Sequence, residues 1–311
     1  VRIRVGTRGS KLALAQTTLV IEALRAAHPD LDVELCIIQT EGDRRRRASL
    51  LAIGGQGVFT RELEVALLDG EIDVAVHSLK DLPSTLPEGL VLAATPPREN
   101  PCDVLVTRDG TRLEALPNGA VVGTGSLRRR AQLLRLRPDL QMKDIRGNVD
   151  TRLAKLAAGE YDAIVLAAAG LSRLGALGRV KAEVLATEAM LPAPSQGILG
   201  LECRADDTLT RETLASINHA PTFVAATAER AVLSHFGIGC RLPVAALAET
   251  EGDMLRLRAR VLSADGRIAY DAETTWGAWA DAAVLGEAAT RQLIEAGALA
   301  LLESLEVAVE P

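Results

Sequence analysis

Apolar and polar positions along the chain follow two rhythms. Val1–Gly6 and Asp32–Thr40 read as strands on either side of Lys11–His28, whose apolar residues recur at helical spacing, so the chain opens with a β-α-β unit. Glu41–Gly57 has no period, carries the run Arg44–Arg47 and ends in glycines, which predicts a loop with a solvated charge run. Phe59–Leu68 then reads as a helix and Asp73–His77 as a buried strand.

The pattern restarts after "TPPREN" at Thr95–Asn100. Strands are expected at Asp103–Thr107, Ala120–Gly123 and Met142–Ile145, helices at Leu127–Leu136 and Thr151–Ala158, and an apolar run at Ala163–Ala169. "LPAPSQG" at Leu191–Gly197 is a second Pro/Gly connection, and the strand-like "ILGLECR" beyond it could return to the first sheet. From Phe223 a helix runs to about Phe236, followed by three strand-like runs, "VAALAE", "MLRLRARVLS" and "RIAYDAETTW", and a last helix over Asp281–Leu305. Two linkers around one segment suggest two α/β lobes with a hinge and a cleft, plus a small α+β C-terminal domain.

Composition sharpens this picture. Aromatics are only 2% of the 311 residues while hydrophobic residues reach 48%, so packing rests on Ala, Leu, Val and Ile, which suits sheets covered by helices. Charges inside the first strand leave no secretory apolar region, and runs such as Ala163–Leu171 are too short to span a bilayer. The expectation is a soluble, cytoplasmic protein with no membrane partner. The four cysteines (36, 102, 203, 240) and four histidines lack ligand spacing, so no metal site is expected. Net charge is -6, yet 30 of the 35 basic residues are arginine, the side chain best matched to carboxylate or phosphate.

Position decides what those arginines are for. Strand ends meet helix starts at "GTRGSKLA" (Gly6–Ala13) and "GTGSLRRR" (Gly123–Arg130), where backbone N–H groups, the helix N-terminus, Ser10, Thr124 and Ser126 can bind anions beside Arg8, Arg128 and Arg129. Neither turn is a dinucleotide fingerprint or a P-loop, and each Ser can equally be a plain helix cap with the arginines on a solvated face. Arg146, Arg152 and Arg173 follow at similar junctions, so a ligand there would carry several negative groups. In "DVAVHSLKDLPSTLPEG" the strand ends in Lys80 and Asp81 before Pro83. An ionised Asp81 could steady a cation or move a proton, or simply pair with Lys80. Cys240 stands beside Arg241, which favours thiolate, although a buried inert cysteine is the ordinary case.

Nine stretches in register, "RVGTRGSKLALAQ", "GGQGVFTRELE", "DVAVHSLKDLP", "RENPCDVLV", "GTGSLRRRAQL", "IRGNVDTRL", "AAAGLSRLG", "LPAPSQGILGLECR" and "IGCRLPVAA", resemble the porphobilinogen deaminase (hydroxymethylbilane synthase) family over nearly the whole chain. The resemblance implies two lobes like those of type II periplasmic binding proteins and a third, cofactor-carrying domain, dividing the chain at 1–98 with 196–215, 99–195 and 216–311. It implies a dipyrromethane held by Cys240 through a thioether, and head-to-tail addition of four porphobilinogens with loss of ammonia. Water then releases the linear tetrapyrrole. Arg8, Arg128, Arg129, Arg146, Arg152 and Arg173 would hold the acetate and propionate groups, with Ser10, Thr124, Ser126 and Lys80 as further donors. Asp81, with Lys80 beside it, would be catalytic, stabilising the azafulvene-like cation. A cytoplasmic monomer is expected. Departures are Ile238-Gly239 before the cysteine, Arg241 after it, and Gln56 where Lys is common.

Two other classes compete. A solute receptor would share lobes, hinge and anion cleft, but neither a secretory leader nor a use for the third domain is evident in the sequence. A nucleic-acid role is disfavoured by the acidic balance and scarce aromatics.

Overall fold

The computed structural model describes residues 2–38, 60–234, 236 and 242–307. In chain order the elements are β1 (Arg2–Arg8), α1 (Lys11–Ala27), β2 (Asp32–Ile38), α2 (Arg61–Leu68), β3 (Val74–Ser78), β4 (Leu90–Ala94), β5 (Asp103–Thr107), β6 (Val121–Gly123), α3 (Leu127–Leu136), β7 (Gln141–Lys143), α4 (Val149–Ala157), β8 (Ala163–Ala167) and α5 (Ala168–Arg173). They continue with β9 (Lys181–Val184), β10 (Leu199–Arg204), α6 (Thr208–Ala215), α7 (Ala220–Ser234), β11 (Val244–Glu251), β12 (Met254–Leu262), β13 (Ala269–Glu273), β14 (Gly277–Ala278), α8 (Ala282–Ala296) and α9 (Ala298–Val307). The chain divides into two compact units, Val1–Glu99 with Gly197–Phe223, and Asn100–Gln196 with Val224–Pro311.

The first unit carries a five-stranded sheet in the order β2-β1-β3-β10-β4. β1 is parallel to β2 and β3, while β10 runs antiparallel to both β3 and β4. "ILGLECR" therefore does return to the first sheet. Val5, Val74 and Leu201 from the sheet pack with Val20 and Leu24 of α1, all at most 1% exposed, so the helical spacing read in Lys11–His28 becomes one apolar stripe against the strands.

The second unit repeats that order as β7-β6-β8-β5-β9. Here β5, the first strand after the chain leaves the other unit, is the antiparallel one between β8 and β9. Both sheets thus place four consecutive strands around one strand taken from across the linker, the arrangement of the type II lobes that the resemblance implies. They are mixed sheets, because the inserted strand enters from the opposite direction. β5 is buried at every position and β8 at four of five, as expected for strands covered on both faces.

The C-terminal residues of this unit form an antiparallel sheet, β11-β12-β13 with β14 on β12, whose core joins Leu255, Leu257 and Val261 to Ala228 and Val232 of α7 and Leu293 of α8. The single helix expected over Asp281–Leu305 is two. Gly297 adopts φ 109° and its N–H turns back to Ile294 O at 2.9 Å, which caps α8 in a conformation that a side chain would disfavour and restarts the chain as α9. Among the described residues no helix is long and apolar enough to cross a membrane.

Candidate functional site

In the first unit β1 delivers Arg8 to the start of α1. Ser10 caps that helix, its Oγ accepting the Ala13 N–H at 3.2 Å, so the backbone donors of the first turn face the same end of the sheet as Arg8. A cavity of about 80 Å³ opens there, lined by Arg8, Ser10, Gln16, His77 and Asp81 among others. Asp81 closes the one-turn 3-10 helix Leu79–Asp81 that directly follows β3; it is exposed, and Lys80 beside it is half-buried. Gln16 donates to Ser78 Oγ at 2.9 Å and ties α1 to the end of β3. Below the cavity His77 Nε2 meets Glu202 Oε2 at 3.0 Å, both side chains at most 3% exposed. Glu64 is also buried, and that burial pushes its carboxyl above the usual range against the opposing pull of Thr60.

In the second unit Gly123 ends β6 with Tyr161 so close that a Cβ would sit 2.8 Å from its ring, which brings the turn down onto the sheet. Thr124 is buried and its Oγ1 accepts the Ser126 N–H at 3.2 Å; Ser126 Oγ in turn accepts the Arg129 N–H at 3.4 Å and caps α3. The two arginines that follow are buried, at 4% and 7% exposure, rather than set on a solvated face. Arg128 pairs with Asp103 Oδ2 at 2.7 Å and donates to Leu191 O at 2.7 Å. Arg129 places Nε and Nη2 on Asp103 Oδ1, at 3.0 and 2.7 Å, and Nη1 on Val165 O. Gln196 Nε2 donates to the same Oδ1 at 2.8 Å and to Pro101 O at 2.7 Å. Burial alone would push the Asp103 carboxyl up, but Arg128 and Arg129 outweigh it and hold the group well below the usual carboxylate range.

Arg152, on α4, adds a third guanidinium. Its Nε donates to Gly147 O at 2.9 Å, and among the described residues no carboxylate pairs with it. Burial, and then the charge of Arg129, push its pKa down. Asp103 therefore serves two buried guanidiniums, and the half-buried Arg152 adds a third positive charge with no carboxylate partner among the described residues, an excess that an anionic ligand would relieve. This donor set fits a ligand bearing several carboxylates.

The remaining residues singled out in the sequence are placed as follows. Arg146 is exposed after β7, Arg173 is half-buried in the last turn of α5, and Cys240, with Arg44–Arg47, Gln56, Ile238 and Arg241, lies outside the described residues. Asp103 and Gln196 were not singled out by sequence reasoning. A signal for Asp103 existed: in "CDVLVT" a carboxylate opens the apolar run Val104–Val106, a position that a buried charge holds only when paired.

Fold and site together define a protein built from two type II lobes, one with a guanidinium-rich cradle and one with a carboxylate-bearing cavity at strand ends. The model of the porphobilinogen deaminase dipyromethane cofactor binding domain matches residues 3–212, and that of the porphobilinogen deaminase C-terminal domain matches residues 223–295. The porphobilinogen deaminase of Roseiflexus castenholzii is 50% identical over 300 residues, covering 96% of this chain and 98% of its own. That of Moorella thermoacetica is 48% identical over 306 residues, with 98% and 97% covered. Among solved structures, the effector binding domain of BenM with benzoate covers 70% of this chain at 15% identity and a TM-score of 0.42, too distant to carry an inference. The chain belongs to the porphobilinogen deaminase family.

Proposed function

We propose that this chain condenses four porphobilinogens head to tail, with release of ammonia, on a dipyrromethane bound covalently at Cys240, and then releases the linear tetrapyrrole hydroxymethylbilane by hydrolysis. The division of labour follows residues 1–98 with 196–215 and 99–195 as the two binding lobes and 216–311 as the cofactor-carrying domain. The observation that carries this reading is the charge excess around Asp103. A growing chain of pyrroles presents acetates and propionates in series, and Arg128, Arg129 and Arg152, with Thr124 and Ser126 at the helix start, are the donors that such a series needs. Arg146 and Arg173 are assigned to the same carboxylates. The cofactor supplies a primer, a pyrrole already anchored at the start of the chain.

Chemistry is assigned to the cavity of Arg8 and Ser10. When ammonia departs with the electron pair of its C–N bond, positive charge develops on the incoming pyrrole. Asp81, in that cavity, is the fixed carboxylate that stabilises it. After the new carbon–carbon bond forms, the α-carbon proton must leave, and Asp81 is the acceptor, with Lys80 next to it in the chain. Arg8 and Ser10 hold the substrate carboxylates meanwhile. A monomer acting in the cytoplasm is the setting proposed for this chemistry.

Intact mass of the protein beside its Cys240→Ser variant tests the reading. An excess equal to two condensed porphobilinogen units in the parent, absent from the variant, is expected. A parent that stays unmodified after incubation with porphobilinogen would overturn the attachment and favour a solute-binding role for the two lobes.

A further inference from the structure

Ser195 is the one non-glycine residue with positive φ, at 63°, among the described residues. It is 1% exposed, and its hydroxyl is buried without a hydrogen-bond partner, so the side chain contributes nothing evident to its own unusual backbone. What holds it is Glu229 of α7. That carboxylate is 0% exposed; Oε2 accepts the Ser195 N–H at 2.5 Å, and Oε1 accepts the Ala248 N–H of β11 at 2.8 Å. The next residue, Gln196, is the last before the chain leaves this unit, and its side-chain amide reaches Asp103 and Pro101. Asp103 in turn holds Arg128 and Arg129.

These contacts form one continuous path from a helix of the C-terminal part to the cradle. A left-handed residue turns the chain sharply, and the turn at Ser195 decides where the Gln196 amide is delivered. We propose that Glu229 is a positioning residue: by fixing the left-handed turn at Ser195 it seats Gln196 on Asp103 and sets the orientation in which Arg128 and Arg129 receive carboxylates. The inference rests on the reading of that cradle as the seat of substrate and cofactor carboxylates.

Glu229→Gln, Ser195→Gly and the double variant test it, with two readouts: the KM and kcat for porphobilinogen, and the rate at which cofactor-free protein acquires the mass of its primer. A glutamine must set its NH₂ against one of the two backbone donors, so Glu229→Gln should raise KM roughly tenfold with kcat within about threefold, and slow primer assembly by a similar factor. Glycine adopts positive φ without help, so Ser195→Gly alone should behave like the parent, and in the double variant it should bring KM back to within about threefold. Unchanged KM in Glu229→Gln overturns the proposal. So does a defect that Ser195→Gly fails to rescue, which would mean that Glu229 acts only by holding β11. Should Glu229→Gln not fold, Gln196→Leu leaves the Glu229 contacts alone and must give the same rise in KM; an unchanged KM there is equally fatal. A parent that assembles its primer normally while these variants match it would sink this inference and leave the proposed function standing.

Discussion

The turn at Ser10 and the turn at Ser126 are written in nearly the same letters, Gly-Thr-Arg-Gly-Ser and Gly-Thr-Gly-Ser, and both end a central parallel strand and cap a helix. Their surroundings differ. Around Ser10 the charged groups Arg8 and Asp81 border an open cavity, half-buried and exposed respectively. Around Ser126 the guanidiniums of Arg128 and Arg129 are sunk beneath the turn on a fully buried carboxylate. One strand-to-helix turn can thus border an open cavity or cover a buried ion cluster, and what decides is whether another strand of the same sheet offers a counter-ion. In the second unit β5 does so with Asp103.

The largest effects should separate the two turns by kind. Asp103→Ala removes the shared partner of two buried arginines and should cost about 3–5 kcal/mol, read from urea unfolding. Asp81→Ala should leave the unfolding midpoint where it is, because the side chain is exposed, and reduce turnover roughly 10²–10³-fold. Equal losses of stability, or an Asp81 variant with ordinary turnover, would erase the contrast. Acid sharpens it further. The folded-state pKa of Asp103 lies below that of an unfolded aspartate, so its stabilisation is complete above about pH 4 and is lost as pH falls towards the folded value. Asp103→Asn should flatten that part of the stability–pH curve.

Arg152 gives a smaller effect with opposite signs for folding and binding. Its guanidinium is half-buried beside Arg129 without a carboxylate of its own among the described residues, and burial and then Arg129 push its pKa down. Arg152→Gln relieves burial and like-charge repulsion, so the midpoint of unfolding should hold or rise, while KM for porphobilinogen increases about tenfold. A variant that loses stability and keeps its KM would show that Arg152 is a structural group and that the charge excess has another use.

How much of this was legible in the chain depends on the range of the interaction. Strand β5 and helix α3 match their expected bounds, since apolar period and turn residues are local signals. The return of β10 was legible too, from its linker and its apolar run. The break at Gly297 was not, because one glycine inside a strong helical pattern looks tolerable until its φ is known. Arg128 and Arg129 were singled out as candidate anion binders, but their burial was not legible: their partner Asp103 lies 25 and 26 positions away, and no periodicity links a strand's first residue to a helix's first turn. Gln196 and Glu229 were hidden for the same reason, as their roles arise only when the crossing segment meets α7 and β5.

The two cap serines give the smallest and most local comparison. Ser10 Oγ meets its N–H at 3.2 Å and starts a 17-residue helix, so Ser10→Ala should cost about 1 kcal/mol. Ser126 Oγ meets its N–H at 3.4 Å, and the residue bearing that N–H is already fixed by its side chain on Asp103 and Val165 O. The start of α3 is therefore held twice, and Ser126→Ala should cost about half as much, near the low end for a lost cap. Glycine at either position should cost only a few tenths of a kcal/mol, which separates the cap from any packing loss. If Ser126→Ala proves the more damaging change, the hydroxyl and not the buried arginine anchors the turn, and the two strand-to-helix junctions are more alike than their surroundings suggest.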